Sequence, residues 1–220
     1  MGEYETDPVD IDEFRRFKQM PTLINHWALP PGPRPYYWYL AFRRSPQLQA
    51  LVARAQNLIN FPFYDLVEDH GLHLTIDRIA YEDNVADREL IAIEAAARHA
   101  CRTVKPFELK VGSLGGTPGA IGYSVHPVEP LQQLRTTLQA ATLSVIPDAP
   151  VKRLAFRPHI TIAYSNAYVP ATQAIAGAEE ANELPRVSVS VETVDLVLME
   201  RRERAYTWKE VTQIDLNGNR

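Results

Sequence analysis

The tetrapeptide pattern His-x-Thr-x occurs twice in this chain, as His73-Leu74-Thr75-Ile76 and His159-Ile160-Thr161-Ile162, each inside an apolar run that reads as a buried strand. In extended backbone, side chains two apart share a face. Each copy therefore aligns one imidazole with one hydroxyl, while Leu74 and Ile76, or Ile160 and Ile162, face the core. With 6 His and 13 Thr in 220 residues, chance supplies about a third of one His-x-Thr. The second copy lies 86 residues after the first. The same displacement lays Tyr36-Tyr37-Trp38-Tyr39-Leu40 on Gly122-Tyr123-Ser124-Val125-His126. It also lays the helical segment with Leu48 and Leu51 on the one with Leu134 and Leu138, within a residue. A two-copy repeat of so long a period implies two pseudo-equivalent lobes, not a solenoid.

Residues 1–35 read as an N-terminal arm and Pro-rich connector, and 36–216 as a bilobal domain, with lobe one over about 36–115 and lobe two over about 116–216. In the arm, Asp10 or Asp12 is placed to cap a short helix through about Gln19, with Ile11, Phe14 and Phe17 on one side. Pro30-Pro31-Gly32-Pro33-Arg34-Pro35 breaks regular structure. The arm is expected to pack against the body; a lid over the cleft is the alternative. Lobe one is expected as strand 36–42, helix 46–59 opened by Ser45-Pro46, motif strand 72–79, helix 86–101 and strand 106–113. Gly112, Gly115, Gly116, Pro118 and Gly119 mark the crossing into lobe two. There the pattern gives strand 120–126, helix 128–143, motif strand 158–164, helix 171–182 and two closing strands, 186–200 and 205–215, paired as a hairpin. The fold class is α+β, with antiparallel or mixed sheets.

A net charge of −4 and a pI near 5.9 argue against wrapping long duplex nucleic acid through a broad basic face, but leave room for a local pocket that takes a nucleotide or an RNA end. Arg201, Arg202 and Arg204 read as a charged hairpin turn. No apolar run approaches the roughly 18 residues of a membrane span, and Met1 to Asp7 show no secretory pattern. The single cysteine, Cys101, reads as a small core residue. The expectation is a cytoplasmic monomer that engages no membrane.

Hydrolysis of a cyclic phosphodiester needs a base for water, an acid for the departing sugar oxygen, and donors for the non-bridging oxygens. Two imidazoles supply the first two near neutral pH, one neutral and one protonated. Thr75 and Thr161 are the neutral donors. Arg157, two before His159, is expected on its strand face, and Tyr123 is among the aromatic residues able to stack on a base. Metal binding, the competing chemistry, needs three or four ligands. Beside the histidines the motifs offer only Asp77, expected on the face of His73 and Thr75, so no metal or cofactor is expected. His26, His70 and His99 read as surface residues.

With both motifs in register, residues 36–216 resemble the 2H phosphoesterase superfamily, and within it the RNA 2′,3′-cyclic phosphodiesterase or 2′-5′ RNA ligase-like group. Leu72-His73-Leu74-Thr75-Ile76 and Arg157-Pro158-His159-Ile160-Thr161-Ile162 carry the resemblance. It implies a bilobal fold with one His-x-Thr from each lobe facing a shared groove. It also implies action on cyclic phosphates or 2′,5′-linked phosphodiesters without an obligatory metal, with His159 as base and His73 as acid. Members of the group often carry Arg where this chain has Tyr164, whereas Arg78 stands at the corresponding place after the first motif. The phosphate-contacting cation has then moved to the other lobe, or the substrate differs. A non-hydrolytic module for RNA ends or nucleotides, and a 2′-5′ RNA ligase working in reverse, are the alternative functions.

Overall fold

The structure is a computed structural model that describes residues 8–152 and 155–217. Along the chain run α1 (Pro8–Lys18), β1 (Thr22–Leu23), β2 (Pro35–Ala41), α2 (Pro46–Leu58), β3 (Tyr64–Leu66), β4 (His73–Tyr81), α3 (Asp87–Cys101), β5 (Phe107–Thr117), β6 (Ala120–His126), α4 (Val128–Val145), β7 (His159–Ser165), β8 (Val169–Pro170), α5 (Thr172–Ala181), β9 (Ser188–Val191), β10 (Thr193–Arg202) and β11 (Ala205–Asp215). The strands pair antiparallel into one sheet of order β11-β10-β2-β4, a second of order β3-β7-β6-β5-β9, and the small pair β1-β8. This is the expected α+β class.

The 86-residue displacement maps β2 onto β6, β4 onto β7 and Phe107 of β5 onto Thr193 of β10. The row β10-β2-β4 thus answers β5-β6-β7. Yet the sheets do not divide at residue 115. β5 runs straight into β6 through the two residues Pro118 and Gly119, a hairpin link that forces the two strands to be neighbours. The glycine-rich stretch read as a crossing between lobes is therefore the tip of a hairpin inside the second sheet. At the other end of the chain, the expected strand over 186–200 breaks at Glu192. Ser188–Val191 pairs with β5, whereas β10 crosses to pair with β2 and folds back as the β10–β11 hairpin. Each sheet thus takes two strands from the other half of the chain, β10 and β11 in the first and β3 and β5 in the second. Helices follow the same exchange, α4 packing on β4 and α3, and α2 on α5, β7 and β9. Trp38 of β2, only 1% exposed, donates its indole N–H to Thr142 Oγ1 of α4 at 3.3 Å.

The arm packs against the body. Phe17 and Leu23 are fully buried, Ile24 N–H donates to the Pro118 carbonyl at 2.9 Å, and His26 N–H donates to that of Ser165 at 2.8 Å. α1 runs from Pro8 to Lys18; the side chains of Asp10 and Asp12, expected at its cap, lie outside the described residues. Pro46 opens α2 as expected, but the Ser45 side chain makes no capping bond. Among the described residues no helix is long and apolar enough to cross a membrane.

Candidate active site

Both motif strands carry a β-bulge at the same place. β4 pairs with β2 as His73–Ala41, Leu74–Leu40 and Thr75–Tyr39, then as Asp77–Trp38 and Arg78–Tyr37, leaving Ile76 as the extra residue. β7 repeats this against β6: His159–Ser124, Ile160–Tyr123 and Thr161–Gly122, then Ala163–Ile121 and Tyr164–Ala120, with Ile162 extra. A bulge re-aims the side chains that follow it. The residue three after each threonine thereby joins the His and Thr face, Arg78 in one strand and Tyr164 in the other. The residue two after it turns inward. Asp77, expected beside His73, is accordingly buried opposite Trp38, 1% exposed. Tyr123 is likewise not a groove residue: it is 0% exposed, in one alternating buried row with Ile121 and Val125, and it cannot stack on a base.

The second bulge depends on Gly122. A Cβ there would lie 2.6 Å from the Ile160 carbonyl oxygen and 2.9 Å from Thr161 Cα, both backbone. Gly122→Ala is therefore expected to push β6 off β7 and cost about 1–3 kcal/mol, the usual range for forced overpacking. Urea melts of the two proteins check this; an unchanged midpoint would show that the strands part freely.

Across a cleft of about 280 Å³, His73 and Thr75 from one sheet meet His159, Thr161 and Tyr164 from the other. Tyr37 and Tyr39 of β2 and Tyr206 of β11 line the same space. Arg78 and Arg157 do not line it. Arg78 lies on the correct face, but its Nη1 donates to the Tyr81 hydroxyl at 2.8 Å and its Nη2 to the Pro150 carbonyl at 3.4 Å. Arg157 precedes β7, where strand alternation does not apply, and its side chain is exposed. What it supplies is its carbonyl oxygen.

The two imidazoles are held alike. His73 Nδ1 lies 2.8 Å from the Gly71 carbonyl and His159 Nδ1 lies 2.9 Å from the Arg157 carbonyl, each two residues upstream. A carbonyl only accepts, so each Nδ1 carries a hydrogen and Nε2 is left as the reactive nitrogen. Their surroundings differ. His73 stacks on Tyr39 at 4.2 Å and 20° and meets the edge of Trp208 at 5.1 Å. Burial pulls its pKa down to about 4, the Gly71 hydrogen bond opposing and the nearby His159 adding to the fall. His159 is exposed. Burial also keeps the Tyr39 and Tyr164 phenols well above their ordinary pKa, so both are neutral donors beside Thr75 and Thr161.

Among the cleft residues that the sequence did not mark are His26, Lys152 and Tyr206. His26 Nε2 lies 2.8 Å from the Tyr206 hydroxyl, and its ring packs 4.5 Å from that of Tyr164. Burial and the Arg201 charge lower its pKa. No local pattern marks His26, because the contacts that bring it in come from Pro118 and Ser165. Arg201, taken for a turn residue, is half-buried and donates from Nη2 to the Trp27 carbonyl at 2.9 Å. A second hollow of about 230 Å³ opens beside the cleft, sharing Tyr37, Met199 and Tyr206 and walled by the Pro-rich connector. A larger open hollow, about 720 Å³, lies around Arg43, Ser188 and Glu210 and contains neither motif; the chemistry-bearing groups converge elsewhere. Among the described residues no three His, Cys, Asp or Glu side chains converge as a metal site requires.

A family model described as the 2′-5′ RNA ligase superfamily matches residues 32–203, which include both motifs and exclude most of the arm. Among solved structures, TT0787 of Thermus thermophilus is 22% identical, with a TM-score of 0.67 over 84% of this chain and 100% of that one. E. coli LigT complexed with 3′-AMP is 16% identical, with a TM-score of 0.62 over 84% and 99%. A structure described as a phosphoesterase is 16% identical, with a TM-score of 0.61 over 84% and 99%. No curated protein matches. At these identities the solved structures speak for the fold, and the family model for descent: this chain belongs to the 2′-5′ RNA ligase superfamily of 2H phosphoesterases.

Proposed function

We propose that this protein hydrolyses a cyclic phosphodiester, a 2′,3′-cyclic nucleotide or RNA end, or a 2′,5′ linkage, by acid–base catalysis between His73 and His159. The observation that carries this reading is the matched pair of imidazoles, both fixed as the Nδ1–H form and both lining one cleft with a threonine two residues on. Recognition alone does not require two titratable groups in symmetric positions. Crystals of E. coli LigT with 3′-AMP, ATP and NADP+ support a nucleotide as ligand. The adjoining hollow offers space for the neighbouring nucleoside.

The unequal burial of the imidazoles supports a division of roles. His73, with its pKa near 4, is neutral at pH 7 and takes the proton from the attacking water at Nε2. The Gly71 carbonyl stabilises the imidazolium that forms. His159, at the open side of the cleft, gives its Nε2 proton to the departing sugar oxygen, and a phosphomonoester is left. Thr75 and Thr161 donate to the non-bridging oxygens. This is the reverse of the assignment implied by family resemblance. Because the base must be neutral, kcat/KM is expected to hold as pH falls through 6 and to drop only as it passes through about 4. A base with the ordinary histidine pKa would lose activity near 6.5. Loss of activity already complete by pH 6 would remove the base role from His73.

The deciding experiment is a product assay with chelator present on 2′,3′-cyclic nucleotides, cyclic-ended RNA, ADP-ribose cyclic phosphate and 2′,5′-oligonucleotides. Turnover of at least one is expected. Tight binding without turnover across the panel would replace the enzyme with a recognition module, and recovery only on adding a divalent ion would overturn the metal-free chemistry.

A further inference from the structure

We infer that Lys152 is the cation that holds the substrate phosphate in this cleft, and that Asp77 positions it there. The inference rests on the phosphoester reading above. A phosphodiester carries a full negative charge at neutral pH, so a site for it needs a cation or several donors. Among the described residues lining the cleft, Lys152 is the one Lys or Arg, and no Asp or Glu lines it. The arginines that the sequence offered are engaged elsewhere, Arg78 with Tyr81 and Pro150 and Arg201 with Trp27. Tyr164 lines the cleft with a phenol that burial keeps neutral.

Lys152 sits on the segment between α4 and β7, where a long side chain would ordinarily wander. Its backbone is instead tied down on both sides. The Lys152 N–H donates to Asp77 Oδ1 at 3.0 Å, and its carbonyl accepts from Gln139 Nε2 at 3.2 Å and from the Arg135 guanidinium. Asp77 in turn accepts from Arg135 Nε at 3.1 Å, both side chains being buried, and from the Gln139 amide. With the backbone fixed, only the side-chain torsions remain to be ordered on binding. The ammonium lies 5.7 Å from the centre of the Tyr37 ring, a cleft wall, and none of the ion pairs among the described residues involves it. Partial removal from water lowers its pKa against the opposing pull of Asp77, and a bound anion would offset that cost. The Ile76 bulge links this device to the catalytic pair: the register shift that leaves His73 and Thr75 on the groove face also turns Asp77 inward to hold Lys152.

The test uses inorganic phosphate as probe, titrated calorimetrically into the full chain, alongside steady-state kinetics on the best substrate. Lys152→Met is expected to weaken phosphate binding tenfold or more and to raise KM, with Lys152→Arg recovering most of both. Asp77→Asn is expected to weaken phosphate binding in the wild-type background but not in Lys152→Met, because it acts through the lysine; a merely structural role would persist in both. Where Asp77→Asn does not fold, Gln139→Ala takes its place in the same cycle. Unchanged phosphate affinity in Lys152→Met overturns the assignment even if hydrolysis is observed. Phosphate bound through Lys152 without any hydrolysis overturns the enzyme reading and leaves the anion site standing.

Discussion

Replacing either motif histidine with alanine is expected to lower kcat/KM by about 10²–10⁴-fold, the usual contribution of one general acid or base. Thr75→Ala and Thr161→Ala should lose less, because a neutral donor stabilises only part of the developing charge and the Tyr39 and Tyr164 hydroxyls stand beside them. The double variant of His73 and His159 is expected to be little worse than either single one. Proton uptake and proton delivery are two halves of one displacement, and groups acting as a unit are not additive. Steady-state rates on the best substrate of the panel measure all of this. Near wild-type turnover in either single variant would remove that imidazole from the chemistry.

Asp77→Ala is expected to destabilise the fold by about 3–5 kcal/mol, because it takes the paired carboxylate away from the buried Arg135 guanidinium. Asp77 is 1% exposed and Arg135 5%, with Nε to Oδ2 at 3.1 Å. The variant also removes the acceptor for the Lys152 N–H. For a chain of this size the melting temperature should fall by on the order of 10 °C. Glu82→Ala is the control: it breaks the solvent-exposed Arg34–Glu82 pair and should cost no more than about 1 kcal/mol. A shift for Asp77→Ala no larger than the control's would mean that water reaches Arg135 and the pair is not isolated.

The sequence by itself determined the repeat, the α+β class, the two motif strands and the pairing of each His with a Thr. All four follow from local rules, since alternation places residues two apart on one face whatever the strand pairs with. The same rule already held Tyr123 in the buried row of Ile121 and Val125, so its assignment to the groove went against the parity of its own strand. Tertiary structure alone decided the rest. Which strand supplies the neighbouring ladder is a long-range choice that periodicity does not report, so the exchange of β5 and β10 between sheets was invisible. A bulge is the mismatch between two strands and exists only once they pair, which is why Asp77 turned inward and Arg78 outward against the count from His73. His26, Lys152 and Tyr206 reach the cleft from an arm, a connecting segment and the last strand. They share no spacing with the motifs, and only packing of the whole chain brings them to the same cleft.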